Sequence, residues 1–365
     1  MTKVAPYGNT LSSSLKWDVS KSVCKLDMLA EVLKGSGKRR ILILCHNNPD
    51  PDTIGSASGL QFLLTRKFGV KSVIGYGGVV TRAENKAMVQ RLGIKMTQLM
   101  RVDPSRYHGI ALIDAQPGTG NNLIAPKSPP PMIVIDHHPL RKASLKSEFY
   151  DIRTKYGATS TIIAEYLTAA GLRPTRRVAN ALLYGIKADT HSLMRGSCKI
   201  DFTVFNYLSP FTNPRVLGGI ERPALKLEYL EDYLKGLSRT VLYRDVAVAD
   251  IGRIHSEAIV PELADLLLRL EDVYWSLCIG RRKDLLIISL RSTSRKHQAG
   301  VVIQRIIGRA GSAGGHKEMA GGQISVAGMT EEEVQALTQK LTKKLLKILE
   351  REGAHARSIS NAPGR

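Results

Sequence analysis

Residues 41–45, ILILC, form an apolar run without a break, followed at once by the polar stretch HNNPDPDT at 46–53. A short apolar run with no alternation reads as a strand buried on both faces, as in a parallel sheet covered on each side. The pattern recurs at SVIGY (72–76), GIALID (109–114) and MIVID (132–136), with helical segments at 54–68, 83–92, 158–170 and 176–188. Strands alternating with helices predict an α/β fold built on a mainly parallel sheet. A further helix is expected near 22–35, stopped by Gly35-Ser36-Gly37.

A chain of 365 residues favours two domains. After Pro210 and Pro214 comes a charged helical stretch at 221–238, then a second, smaller α/β unit. Its strands are expected at 241–250, 273–280, 285–290 and 322–327, and its helices near 260–270, 298–309 and 330–350. The expected division is an N-terminal extension and helix (1–36), a first domain (37–215), a helical linker (216–240), a second domain (241–352) and a flexible tail (353–365).

Composition narrows the classes of function. With 53 Lys+Arg against 32 Asp+Glu the formal charge is +21, which favours an anionic partner, most simply nucleic acid or nucleotides. Aromatic residues are only 5%, so no platform for stacking a long single strand is advertised. The cysteines Cys24, Cys45, Cys198 and Cys278 form no CxxC pair, which argues against zinc ribbons and a disulfide framework. They read as small buried residues. No apolar run approaches the ~20 residues of a membrane span, and residues 1–17 lack the apolar core of a signal peptide. The expectation is a soluble cytoplasmic protein without membrane contact.

The chemistry-bearing residues gather where the apolar runs end. His46, Asp50 and Asp52 follow the first, Asp114 closes GIALID, and Asp136, His137 and His138 close MIVID. Asp189 follows the helical run VANALLYGIKA. Open α/β sheets bind ligands outside the carboxyl ends of their strands, so these groups are expected at one edge. Taken singly, each aspartate reads more simply as a helix cap or turn residue. Together, so many carboxylates repel one another unless a cation sits among them. Divalent metal is the economical cation, and imidazole with carboxylate ligation suits Mn2+, with Mg2+, Co2+ or iron as alternatives. The number of donors suits two ions, a pair able to clamp a phosphoryl centre.

In this order, HNNPDPDTIGS (46–56), LID (112–114), IDHHP (135–139) and GIKADT (185–190) resemble the four motifs of the DHH phosphoesterases. Thr53 stands where alanine is commoner, and Met194-Arg195 where Phe-Arg often follows the fourth motif. The resemblance implies that His46 and Asp50 bind one ion, that Asp52, His137 and Asp189 bind a second, and that Asp114 bridges them. It implies His138 as a contact to the scissile phosphate, Asp136 as the residue orienting an imidazole, and a hydroxide activated by two metal ions as nucleophile.

In the second domain, GSAGGHKEMAGG (311–322) places glycines around His316. Read alone it is a turn, or a backbone able to approach a phosphate. It resembles the glycine-rich loop of the DHHA1 domain that follows DHH domains, with Gly314, Gly315 and His316 matching and Ser312 and Ala313 replacing glycines. ISLRS (288–292) resembles the strand of that domain whose arginine binds substrate, which makes Arg291 the candidate anchor for a terminal phosphate. Arg295, Lys296 and residues 281–283 would add to a basic wall, or simply face solvent.

The resemblance implies an active site in the cleft between the domains. The compact two-domain build is similar to the oligoribonuclease (nanoRNase)/pAp phosphatase branch. The expected activity is therefore phosphoester hydrolysis of short oligoribonucleotides, linear dinucleotides such as pApA and pGpG included, and of pAp. Cyclic-di-AMP hydrolysis is the alternative, and a non-catalytic nucleic-acid-binding protein is the alternative of a different class. A homodimer is compatible with this reading.

Overall fold

The computed structural model describes residues 17–34, 40–125, 127–294, 296–315 and 317–361. The chain divides into two compact units after Pro223.

In the first unit the strands are β1 (Ile41–Leu44), β2 (Ser72–Tyr76), β3 (Met96–Gln98), β4 (Gly109–Ile113), β5 (Ile133–Asp136) and β6 (Phe149–Ile152). Its helices are α1 (Ser20–Leu33), α2 (Pro51–Phe68), α3 (Ala83–Leu92), α4 (Thr159–Ala169), α5 (Arg176–Asp189), α6 (Lys199–Leu208) and α7 (Pro214–Glu221). The strands lie in the order β3-β2-β1-β4-β5-β6, and every pairing is parallel. The order reverses between β1 and β4, so their carboxyl ends flank the crevice where such sheets bind ligands.

Both faces of β1 are buried, which is why the run carries no polar residue. Ile41, Ile43 and Cys45 face a large core shared with α2, α4 and α5, whereas Leu42 and Leu44 join a smaller cluster with Leu112 and Val134. Two glycines let the helices close. A Cβ on Gly55 of α2 would lie 2.5 Å from the Ala181 carbonyl of α5, and one on Gly185 would lie 2.4 Å from Ser160 Oγ.

The second unit holds α8 (Leu227–Ser238), β7 (Thr240–Tyr243), β8 (Val246–Arg253), α9 (Ile259–Leu267), β9 (Trp275–Arg282) and β10 (Leu285–Ser292). These are followed by α10 (Ala299–Ile307), β11 (Gly311–Gly315), β12 (Met319–Ser325), α11 (Glu331–Ile348) and β13 (Ala356–Ser358). Its sheet runs β11-β12-β10-β9-β8-β7-β13 and is mixed: β8 and β9 pair in parallel, the other neighbours antiparallel.

Several elements differ from the sequence expectations. Helix α2 begins at Pro51, not Ile54, because Asp50 caps it through Thr53 N–H and proline suits the first turn. The stretch expected as a linker helix is broken near Pro223. Its first part extends α7, which buries Ile220, and its second forms α8, which buries Tyr229 and Gly236. Strand β13 lies in the expected flexible tail and pairs antiparallel with β7. The glycine-rich segment expected as a loop is the edge strand β11, with Gly314 opposite Gly321 and Gly315 opposite Ala320. Among the cysteines, Cys45 and Cys278 are buried but Cys24 is exposed.

Candidate metal centre

The carboxyl end of β1 leads through His46 into the capped start of α2, which places Asp50 at the N-cap and Asp52 in the first turn. His46 Nδ1 lies 2.9 Å from the Asn47 carbonyl, which holds the proton on that nitrogen and turns Nε2 toward acids. Nε2 is 3.5 Å from Asp50 Oδ2 and 3.8 Å from Asp114 Oδ2. Burial works against protonation of this ring, but the carboxylates of Asp50 and Asp114 overcome it and lift its pKa to about 10. The partner, Asp50, keeps 42% of its side chain exposed, and His46 and the Thr53 N–H hold it below the usual carboxylate range against the opposing pull of desolvation.

Asp114 follows β4 in a left-handed conformation with φ 54°. Its two oxygens are held apart by hydroxyl donors: Thr53 Oγ1 donates to Oδ2 at 2.5 Å and Thr159 Oγ1 to Oδ1 at 2.8 Å. Oδ2 faces His46, while Oδ1 lies 3.7 Å from His137 Nε2. One carboxylate thus looks toward two imidazoles. Burial, followed by the charge of Asp50, raises its pKa to about 6.

Asp52 is fully buried and accepts the N–H groups of Thr159 and Ser160, the start of α4, at 2.7 and 2.8 Å. Burial and Asp114 nonetheless push its pKa up to about 7. Asp189 closes α5 with Oδ2 3.1 Å from His137 Nε2. His137 Nδ1 meets the Tyr156 carbonyl at 3.1 Å, so Nε2 is the nitrogen turned to the acids. Burial opposes charging this ring, but Asp189 and Asp114 lift its pKa well above the ordinary imidazole value. This Nε2 is buried and has no hydrogen-bond partner despite the nearby carboxylates.

Asp136 supports the histidine pair. Its Oδ1 accepts the His137 N–H and the His138 Nδ1–H, both at 2.8 Å, and its Oδ2 accepts from Gln116 Nε2 at 2.6 Å. Gln116 Oε1 in turn accepts from Arg141 N–H and Ser144 Oγ. His138 keeps 39% of its side chain exposed, the most accessible imidazole of the cluster.

Three overlapping groups of potential ligands lie on four separate stretches of chain; one, Asp114, Asp136, His137 and His138, shares members with the other two and contains the supporting Asp136. Of those two, His46, Asp50 and Asp114 form one, and Asp52, His137 and Asp189 form the other, each with donor atoms within 4.8 Å of one another. The residues fit divalent cations: oxygen and imidazole donors converge, and the buried His137 Nε2, which makes no well-aligned hydrogen bond, faces the carboxylates of Asp189 and Asp114 at 3.1 and 3.7 Å, where a shared cation would serve all three.

The candidate residues of the second unit are arranged differently. Arg291 is 7% exposed, and its Nε pairs with Asp265 of α9 while Nη1 donates to Ser289 Oγ at 2.8 Å. The guanidinium is thus already engaged with a carboxylate. Gly314 and Gly315 belong to a β-hairpin, and a Cβ on Gly315 would strike the Met319 carbonyl at 2.4 Å, so close strand approach explains that glycine. Arg295 and His316 lie outside the described residues.

Thr53, Thr159, Ser160, Gln116 and the Tyr156 carbonyl were not anticipated from sequence, although each holds a candidate ligand or its support. Only Thr53 lay within a motif. The others are recognisable only from what the folded chain sets beside the acids.

Residues 40–186 match the model of the DHH family, N-terminal domain, and residues 244–347 match that of the DHHA1 domain. The uncharacterized protein MJ1633 of Methanocaldococcus jannaschii is 34% identical over 298 residues, covering 81% of this chain and 60% of that protein. A cyclic-di-AMP phosphodiesterase GdpP of Geobacillus thermodenitrificans is 26% identical over 325 residues, covering 84% of this chain and 48% of that protein. The chain thus spans less than two thirds of the length of these two relatives. An exopolyphosphatase-related protein of Bacteroides fragilis has the same fold, with a TM-score of 0.61 at 16% identity, covering 91% of this chain and 98% of that one. Among the described residues no helix is long and apolar enough to cross a membrane.

Proposed function

The chain belongs to the DHH family and joins that domain to a DHHA1 domain, and on this premise we propose that it is a phosphoesterase using two divalent metal ions, Mn2+ first among them. Its proposed substrates are short oligoribonucleotides, linear dinucleotides and pAp. The observation that carries the reading is the pair of ligand groups with Asp114 between them, one oxygen toward each imidazole.

His46, Asp50 and Asp114 would hold one ion, and Asp52, His137 and Asp189 the other. When bound, such ions supply Lewis acidity and bring the pKa of a bound water from 15.7 toward about 7. The chain's own residues do the rest. Asn47 and Tyr156 hold protons on Nδ1 of His46 and His137, which leaves Nε2 as the donor nitrogen in each. Thr53 and Thr159 keep Asp114 turned so that neither oxygen swings away. Asp136 stabilises the proton on His138 Nδ1, and this part-exposed ring is the proposed contact to the scissile phosphate. Arg291, Arg295, Gly314, Gly315 and His316 are the proposed substrate contacts of the second domain. For Arg291 that role requires the phosphate to displace or share its pairing with Asp265.

Cyclic-di-AMP is the second reading, favoured by the likeness to GdpP. The deciding experiment is product analysis on purified full-length chain with Mn2+, using 5′-phosphorylated RNAs of about two to ten nucleotides, pAp and cyclic-di-AMP. Mononucleotide release fastest from the shortest RNAs is the expected result. Inert RNA with turnover of cyclic-di-AMP would move the function to the second reading, and tight RNA binding without hydrolysis would leave a binding protein.

A further inference from the structure

The amino end of the parallel sheet carries a feature that the metal centre does not use. A cavity of about 690 Å3 opens there, lined by Arg40 before β1, Lys71 before β2, Phe62, Thr65 and Arg66 of α2, and Arg177 of α5. No acidic residue is among its described lining residues. Arg66 lies over the Phe62 ring at 5.9 Å, and none of the four cations has a carboxylate partner among the described residues.

The start of α5 adds to the positive field. Its first turn holds Arg176 and Arg177 and no acid, the reverse of what a helix N-terminus favours. Four like charges round one depression repel each other, and an anion removes that repulsion. The volume is that of a small-molecule site rather than of an extended strand-binding track. Guanidinium groups match phosphate oxygens in pairs, and Phe62 offers an apolar wall beside them.

We infer that this cavity binds the polyphosphate group of a small anion, a nucleoside di- or triphosphate or a free polyphosphate. It stands apart from the metal centre. Arg40 and His46 bracket β1, so at about 3.3 Å per residue the two places are roughly 20 Å apart along the strand. The inference does not rest on the proposed function.

Calorimetric titration of the full chain with ATP and with inorganic tripolyphosphate, in EDTA and about 150 mM salt, tests it. Saturable binding of one anion per chain is expected, weakened about tenfold or more by Arg66→Glu and by Arg177→Glu. It should stay within about twofold of wild type in Asp114→Asn and in Lys340→Glu, the latter a control at an exposed lysine of α11. Tighter binding of ATP assigns the ligand to nucleotides, and equal binding assigns it to free polyphosphate; both support an anion site here. No saturable binding, an equal loss in Lys340→Glu, or a loss in Asp114→Asn would each overturn it.

Discussion

Asp114 is the residue on which the most depends. It sits in a left-handed conformation, is 3% exposed, and has an oxygen toward each of two imidazoles. Asp114→Asn keeps the shape but removes one anionic oxygen, so both proposed ions should weaken together. A loss of more than about 100-fold in kcat/KM is expected, because changing a residue that only supports a ligand already costs roughly 10–100-fold. In chelator the same variant should melt no lower than wild type, since it removes a buried acid whose ionisation burial opposes. Gln116→Ala tests the supporting role: it frees Asp136 Oδ2 and should cost roughly 10–100-fold in activity while leaving metal stoichiometry unchanged. An unaltered rate would show that Asp136 holds His138 without help.

At the scale of elements, the centre depends on how closely α2, α4 and α5 pack. The start of α4 supplies both N–H donors to Asp52, and Gly185 of α5 lies where a Cβ would come within 3.1 Å of the Asp52 Cα. Gly185→Ala must therefore push α5 outward or displace Ser160, carrying Asp189 away from His137. Overpacking of this kind costs about 1–3 kcal/mol. A lowered Tm together with weaker metal binding is the expected outcome, measured by thermal melts with and without Mn2+. A variant that binds metal as wild type does would show that the helices absorb the change elsewhere.

For the whole molecule, the unbalanced charges of the centre link metal, pH and stability. Asp52 and Asp114 have pKa values raised to about 7 and 6, so their ionisation destabilises the metal-free fold progressively above about pH 4. His46, raised to about 10, contributes stability that is complete below about pH 6.5 and is lost as pH rises through 10. Both effects have the same sign. The chelated protein should lose Tm from about pH 5.5 to about pH 8.5, whereas saturating Mn2+ should recover more Tm at the higher pH, where ligands need not release protons. At about 100 times Kd the metal would contribute roughly 2.7 kcal/mol. A metal-induced rise in Tm that is the same at both pH values would sever this link.

The unbroken apolar runs and the acids that end them were enough to specify the parallel sheet of the first unit, because burial on two faces leaves a one-dimensional trace at β1, β4 and β5. The convergence of His46, Asp50, Asp52, Asp114 and His137 was legible for the same reason, since strand ends in such a sheet point to one edge, whereas Asp189, which closes α5, was legible only through the resemblance of GIKADT to the fourth motif. Strands β3, β6, β11 and β13 left no such trace, since they are short, edge or glycine-rich, and their pairing depends on neighbours far along the chain. The pairing of Arg291 with Asp265 was equally invisible, joining β10 to a helix 26 residues away in sequence. Residue types and spacing determined which groups meet. Which of them are held, by Thr53, Thr159, Gln116 and the Tyr156 carbonyl, was decided only by tertiary structure, because a hydrogen bond is set by distance and direction in space and not by separation along the chain.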